Sequence, residues 1–229
     1  MTPQAPVTPA EVEALNDRLA REHPIDDYYE RSPWVVRLVE QRRLELIREL
    51  AKVRAGERVL EVGSGGGHVL RQFPQGKLTA VDVSDVFLET ARRNLAGYDV
   101  TFRKGEVQRL GLPAASFDCV VCTEVLEHTT APDEILTEIA RLLAPGGRAV
   151  ITVPCDPLIN GLKRAVLLSP ARALLGGRVE WGGDHYHLHE WWPWQMRRTL
   201  ERWFHVVEQR ASPLAALPLR VCFLCRPRA

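Results

Sequence analysis

The sequence predicts a doubly wound α/β fold. Short β-branched runs alternate with helical patterns from residue 58 to residue 153, which is the signature of parallel strands joined by crossover helices. One run, Phe117 to Cys122, is almost wholly apolar, as a strand buried on both faces should be. The chain has 229 residues, 45% of them hydrophobic and 26% charged, so it can bury a sizeable core and is not disordered.

Residues 1–10 carry three prolines and read as a loose tail. Glu11 to Glu22 reads as a charged helix that ends at His23-Pro24. A second helix is expected after Ser32-Pro33, with Ser32 as N-cap, running to about Arg54. Val39, Leu46, Leu50 and Val53 give it a buried face. Strands follow at Arg58–Val62, Leu78–Asp82, Val100–Arg103, Phe117–Cys122 and Arg148–Val153. Helices are expected at Ser84–Asn94, capped by Ser84, and at Pro132–Leu143. The pattern then breaks into a stretch with a moderately apolar helical piece, Leu158 to Leu175. A helix at Pro193–Trp203 and strands at Phe204–Gln209 and Leu217–Leu224 complete the chain. Four segments follow: an N-terminal tail and helical cap (1–54), a ligand-binding core (55–153), an inserted lid (154–190) and a C-terminal completion of the sheet (191–229).

Composition excludes several functions. With 30 Lys+Arg against 29 Asp+Glu, the net charge of +1 gives no bulk attraction to nucleic acid or anionic membrane. No apolar run approaches the roughly 18–20 residues that span a bilayer, so stable membrane insertion is not expected. The opening MTPQAPVTPAEVEAL lacks the basic and apolar regions of a secretory signal. Five cysteines, an odd number, fit reduced thiols in a cytoplasmic protein.

The strongest local signal is Val59-Leu60-Glu61-Val62-Gly63-Ser64-Gly65-Gly66-Gly67-His68. Glycines directly after a parallel strand let the backbone approach a ligand lying over the carboxyl ends of the strands. A dinucleotide fingerprint would need glycine at position 68, where His68 stands, and no Lys-Ser/Thr pair follows to make a phosphate loop.

What remains, E-x-G-x-G-x-G, resembles the class I S-adenosylmethionine-dependent methyltransferases, in particular the type 11 group of ubiquinone/menaquinone-like and natural-product methylases. Further matches fall in order along the chain. They are Asp82 at the end of the second strand, Gly105-Glu106-Val107 after the third and Phe117-Asp118 at the start of the fourth. Thr123-Glu124-Val125-Leu126-Glu127-His128 follows it, and Leu142-Leu143-Ala144-Pro145-Gly146-Gly147 turns into the fifth. The likeness covers roughly residues 45–153, and more loosely 185–225.

It implies a Rossmann-like, seven-stranded, mostly parallel sheet with a terminal antiparallel strand and helices on both faces. It also implies S-adenosylmethionine as cofactor, held by Glu61, Gly63, Ser64, Gly65, Gly67, Asp82, Val83, Glu106, Val107 and Thr123. Asp82 would accept the ribose hydroxyls, Glu61 would face the amino-acid end, and Val83 would lie next to the adenine. Asp118 is expected to shape the start of its strand.

His128 and His187 are the catalytic candidates, since imidazole takes a proton near neutral pH. Tyr28, His189 and Trp191 are assigned to the acceptor. Trp181, Trp191, Trp192 and Trp194 crowd the lid, which suits an aromatic, quinone-like or lipid-like acceptor.

His185, His187 and His189 look at first like a metal strip, but no cysteine partner stands at ligand spacing, so no metal is expected. Cys119/Cys122 and Cys222/Cys225 have C-x-x-C spacing within strands, where residues three apart point to opposite faces and cannot clamp one ion. They read as buried thiols. The partner is a small-molecule methyl acceptor, and the chain is expected to be a monomer or homodimer. The alternatives are a methyltransferase-like module without turnover and a protein or RNA methylase. The sequence lacks the N/D-P-P-Y/F segment that amino-group methylases carry after the fourth strand.

Overall fold

The computed structural model describes residues 9–22, 24–168 and 187–228. Seven strands form one sheet in the spatial order β3-β2-β1-β4-β5-β7-β6. They are β1 Arg58–Val62, β2 Lys77–Asp82, β3 Val100–Lys104, β4 Phe117–Thr123, β5 Leu143–Pro154, β6 Phe204–Leu214 and β7 Leu217–Pro227. The first five are parallel, and β7 runs antiparallel to both β5 and β6. This is the Rossmann-like arrangement expected. Strand order reverses between β1 and β4, and the ends of β1, β2 and β4 make the crevice where open α/β sheets bind ligands.

The helices are α1 Pro9–Glu22, α2 Ile25–Arg31, α3 Trp34–Ala51, α4 Asp85–Asn94, α5 Pro132–Leu142, α6 Asp156–Leu168 and α7 Pro193–Leu200. Helix α2 was not foreseen, although Asp26 and Asp27 after Pro24 are the acidic first turn of a helix start. Helix α3 begins behind Pro33 with no side-chain cap, so Ser32 does not serve as N-cap. It ends at Ala51 rather than near Arg54, because Lys52 turns left-handed and donates its N–H to the Arg48 carbonyl. Ser84 does cap α4, accepting from the Phe87 N–H at 3.2 Å. Strands β6 and β7 are longer than their patterns predict. Along edge strand β6 polar and apolar residues mix, and Ser212 Oγ fastens it by donating to the Val39 carbonyl of α3 at 2.6 Å. Trp181 and His185 of the expected lid lie outside the described residues. Among the described residues no helix is long and apolar enough to cross a membrane.

Alternation along the strands divides the core. Leu60, Val62, Val120, Cys122, Ile151, Phe223 and Cys225 pack on one face with α5 and α7, while Val59, Cys119, Val121, Val150 and Cys222 pack on the other with α3 and α4. Each C-x-x-C pair is therefore split between the two faces, and all five cysteines are free and buried. Burial pushes the Cys119, Cys222 and Cys225 thiols up to about 12 and raises Cys122 and Cys155 too. Since the thiolate is the reactive form, the folded protein is expected to leave an aromatic disulfide reagent unreacted at pH 8. All five thiols should titrate after denaturation. Rapid labelling of any one of them in the native state would contradict this packing.

Asp118 shapes the start of β4. Its carboxylate accepts from Arg58 Nη2 and Nε, at 2.8 and 3.1 Å, and from the Arg58 backbone N–H at 2.9 Å. It thereby fixes the β1–β4 register beneath the crevice.

Candidate active site

The turn after β1 is stitched to β2 before any side chain acts. Ser64 N–H donates to the Val81 carbonyl at 2.9 Å, and Gly67 N–H closes onto the Ser64 carbonyl at 2.8 Å. Gly63, at φ +68, passes so near the loop after β4 that a Cβ there would stand 2.3 Å from Val125 Cγ2. Gly65, at φ +48, is different: a Cβ there would meet nothing within 4 Å. Its backbone faces open space.

Asp82 lies at the end of β2, buried, with its carboxylate turned into this turn. Oδ2 accepts from the Gly65 N–H at 2.8 Å and Oδ1 from the Ser84 N–H at 2.9 Å. Each oxygen keeps a second lone pair. Burial raises its proton affinity, against the pull of those backbone donors.

Glu61 is 1% exposed, and one of its oxygens, Oε2, has no hydrogen-bond partner. Burial drives its carboxyl well above the usual range, opposed by the nearby Arg43 guanidinium. The Ser64 hydroxyl is also buried without a partner. Orphaned buried polar atoms are rare in folded proteins and call for a ligand or water. An adenosyl amino acid fits them: a carboxylate for its ammonium, a second carboxylate for its ribose diol, and bare backbone between.

Val107 is buried and Val83 half-buried beside this crevice. Glu106 pairs with Arg109 at 2.6 Å. Thr123 closes β4 and is 8% exposed. After it, Glu124 takes a left-handed φ of +53, an uncommon conformation for a residue with a side chain. Its carboxylate is held by Thr152 Oγ1 at 2.9 Å and Arg220 Nε at 2.8 Å.

The N-terminal helices cover the turn. Asp17 of α1 accepts from Ser84 Oγ at 2.6 Å, and Glu13 pairs with Lys104 at 2.6 Å. From α2, Ile25 presses on Gly66, while Asp26 accepts from Asn94 Nδ2 at 2.9 Å and meets His68 Nε2 at 3.1 Å. Tyr29 stacks on His68 with ring centroids 4.1 Å apart, and its hydroxyl accepts from Arg43 at 2.8 Å. Tyr29 is thus the residue that closes the turn, and burial pushes its hydroxyl up to about 12. The side chain of Tyr28, the tyrosine assigned there, lies outside the described residues. Arg43, Tyr29 and Asp26 carry no sequence motif. Their one hint is that a charged helix precedes a glycine-rich turn.

Past β4, the structure brings the two catalytic candidates together. The His128 and His187 rings lie 4.7 Å apart, edge to face. Asp156, at the start of α6, stands 3.0 Å from His187 Nδ1. Glu127 lies beside them, fully buried. The strip at 187–189 is riveted to this loop, because the Leu188 and His189 N–H groups both donate to the Glu127 carbonyl, at 2.7 and 3.3 Å. His189 itself contacts the Thr129 carbonyl through Nε2 at 2.9 Å and stacks on Trp191, with centroids 5.2 Å apart. Trp191 packs against the core, whereas Trp192 and Trp194 are exposed. Neither Asp156 nor Glu127 was singled out in the sequence. In the sequence Glu127 stands only as the neighbour of His128, and no spacing rule joins residues 127, 156 and 187.

Comparison with known proteins agrees with this geometry. A family model described as a methyltransferase domain, type 11, matches residues 60–151. A ubiquinone/menaquinone biosynthesis C-methyltransferase, UbiE, of Pseudomonas aeruginosa (strain LESB58) is 32% identical over 126 residues, which are 51% of this chain and 49% of that protein. The chain thus matches only about half the length of such curated relatives. The structure of the N-methyltransferase NodS from Bradyrhizobium japonicum WM9, in complex with S-adenosyl-L-homocysteine, superposes with a TM-score of 0.67 at 19% identity, over 93% of this chain and 97% of that one. The [4+2]-cyclase SpnF superposes with a TM-score of 0.70 at 18% identity, over 99% and 98%. At such identities the likeness is one of fold, and a fold does not fix a reaction. The matched residues 60–151 hold the glycine turn and the crevice around it, and over them the chain is similar to the methyltransferase domains of the type 11 family.

Proposed function

We propose that the chain methylates a small, ring-hydroxylated acceptor of aromatic or quinone-like character, at oxygen or at an activated ring carbon. The observation that carries this reading is the Gly65 turn, held open by the Asp82 carboxylate in front of orphaned Glu61 and Ser64. When bound, S-adenosylmethionine supplies an electrophilic methyl on a positively charged sulfur. Asp82 holds the ribose hydroxyls, Glu61 the ammonium, and Val83, Glu106 and Val107 border the adenine. Thr123 and the strained Glu124 turn set the wall between cofactor and acceptor.

What remains for the chain is to place the acceptor's nucleophile at an attack distance of roughly 3 Å and to receive its proton. A phenol-type oxygen needs that proton removed before it, or the carbon beside it, becomes strongly nucleophilic. The Glu127, His128, His187 and Asp156 group is the polar cluster positioned for this, one loop away from Gly63. Trp191, stacked on His189, gives the site an aromatic wall. The buried free thiols and the near-zero net charge support a cytoplasmic small-molecule enzyme over a nucleic-acid methylase.

Calorimetry should show one molar equivalent of S-adenosylmethionine or S-adenosylhomocysteine bound in the micromolar range. Mass spectrometry should then show one methyl gained by a hydroxylated ring in an acceptor panel. No binding of either ligand at millimolar concentration would remove the proposal. Binding without transfer to any acceptor would favour a module without turnover.

A further inference from the structure

We propose that Glu127, His128 and His187 form a binding site for a divalent first-row transition ion of the zinc class. One potential ligand atom from each lies within 4.8 Å of the other two. Two imidazoles and a carboxylate suit zinc and its neighbours, and three protein ligands leave a coordination position open. This departs from the expectation that the histidine strip binds no metal. That expectation counted cysteines along the sequence, whereas two of the three donors, Glu127 and His128, come from the loop after β4.

The second observation is independent of the clustering. Glu127 is 0% exposed, yet neither of its carboxylate oxygens has a hydrogen-bond partner. Asp156, 1% exposed, is in the same condition, with Oδ1 at 3.0 Å from His187 Nδ1 but off the line of a hydrogen bond. Two buried carboxylates with both Glu127 oxygens and Asp156 Oδ2 without a partner are costly. A cation supplies the missing charge. Asp156 then plays the outer-carboxylate part behind a ligating histidine, which fixes ring orientation and tautomer.

The backbone is ready for this. The two halves are pinned by the Leu188 and His189 N–H bonds to the Glu127 carbonyl, so only side chains need move. Ligand atoms around a tetrahedral zinc stand roughly 3.4 Å apart, and side-chain rotation closes the remaining gap from 4.8 Å. Val125, which touches Gly63, is three residues from His128, at most roughly 10 Å of chain. The ion therefore stands beside the acceptor region. Its role there rests on the methyl-transfer reading: with the ion bound, the cluster acts through it instead of as the base itself, the acceptor's ring oxygen takes the open position, and that hydroxyl releases its proton to solvent near neutral pH. Acceptors with an oxygen donor are then preferred over simple amines.

The test is titration of Co²⁺ into the chelator-treated full chain, read by visible absorption, with Zn²⁺ competition by calorimetry. One equivalent should bind with the intense bands of four- or five-coordinate cobalt and be displaced by Zn²⁺. Glu127→Gln and His187→Ala should each weaken binding at least a hundredfold, Asp156→Asn by about tenfold, and His205→Ala on the edge strand not at all. Pale octahedral spectra from the wild type, or equal affinity in Glu127→Gln and His187→Ala, would overturn the site. The wild-type spectrum decides even if a variant fails to fold. S-adenosylhomocysteine binding is measured on the same samples. Intact cofactor binding without metal binding sinks this site alone, and the reverse result sinks the methyl-transfer reading alone.

Discussion

Replacing Asp82 by alanine is expected to raise the dissociation constant for S-adenosylhomocysteine about a hundredfold. Hydrogen bonds to a charged group contribute roughly 1.5–3 kcal/mol each, and the proposed ribose contact makes two. Two at the lower end give about 3 kcal/mol, or two decades of affinity. The substitution also frees the Gly65 and Ser84 N–H groups that the carboxylate now holds at 2.8 and 2.9 Å, so the turn loses its anchor as well. Asn at position 82 keeps an acceptor for one of them and should cost nearer tenfold. A second ligand separates the two ends of the site. Methylthioadenosine has the ribose and adenine but no amino-acid group. The Asp82→Ala change should weaken both ligands, whereas Glu61→Gln should weaken S-adenosylhomocysteine and spare methylthioadenosine. If Asp82→Ala binds both ligands within threefold of wild type, the ribose assignment is wrong. If Glu61→Gln affects both equally, Glu61 supports the turn rather than the ammonium.

These assignments were within reach of the sequence because each depends on local backbone chemistry. A strand end, a glycine turn and the next strand's acidic terminus sit at fixed relative positions in any parallel sheet, so the places of Glu61, Gly63, Gly65 and Asp82 were legible by spacing, while the cofactor roles proposed for them come from the family resemblance. The split of Cys119 from Cys122 followed in the same way from the period of a strand. Where sequence reading stopped, the contacts join residues far apart in the chain. Asp26 meets His68, Tyr29 meets Arg43, and Glu127 meets His187, and no periodicity links such positions. Helix α2 went unseen because seven residues are too few for a 3.6-residue period to show. The histidine strip was read by its own spacing of two. Its chemistry depends on a carboxylate sixty residues upstream, which is a property of the fold.

Arg148→Met is expected to cost about 3 kcal/mol of stability and to lower the melting temperature by roughly 6–12 °C, while leaving the cofactor crevice intact. The side chain lies toward the opposite end of the strands from the crevice, in the first half of β5, and is 8% exposed. It pairs with Glu57, 9% exposed, at 2.6 Å, and donates to the carbonyls of Ala51, Lys52 and Asp118. One guanidinium therefore ties the end of α3, the approach to β1, the start of β4 and β5 together. Methionine fills similar volume but leaves Glu57 with only the exposed Arg54 and strips three carbonyls of a donor. Acid titration separates the ion pair from packing. Arg148 and Arg54 hold the Glu57 carboxyl down at about 2 against an ordinary 4.5. A depressed carboxyl contributes stability that is fully present above the unfolded value and is lost as pH falls toward the folded one. The gap in stability between wild type and Arg148→Met should therefore be constant from pH 7 to about 5 and shrink between about 4.5 and 2. A gap that stays constant down to pH 2 would mean that Arg148 acts through its carbonyl bonds and packing alone. A gap below about 1 kcal/mol at pH 7, the scale of a surface ion pair, would mean that this guanidinium is solvated and does not brace the sheet.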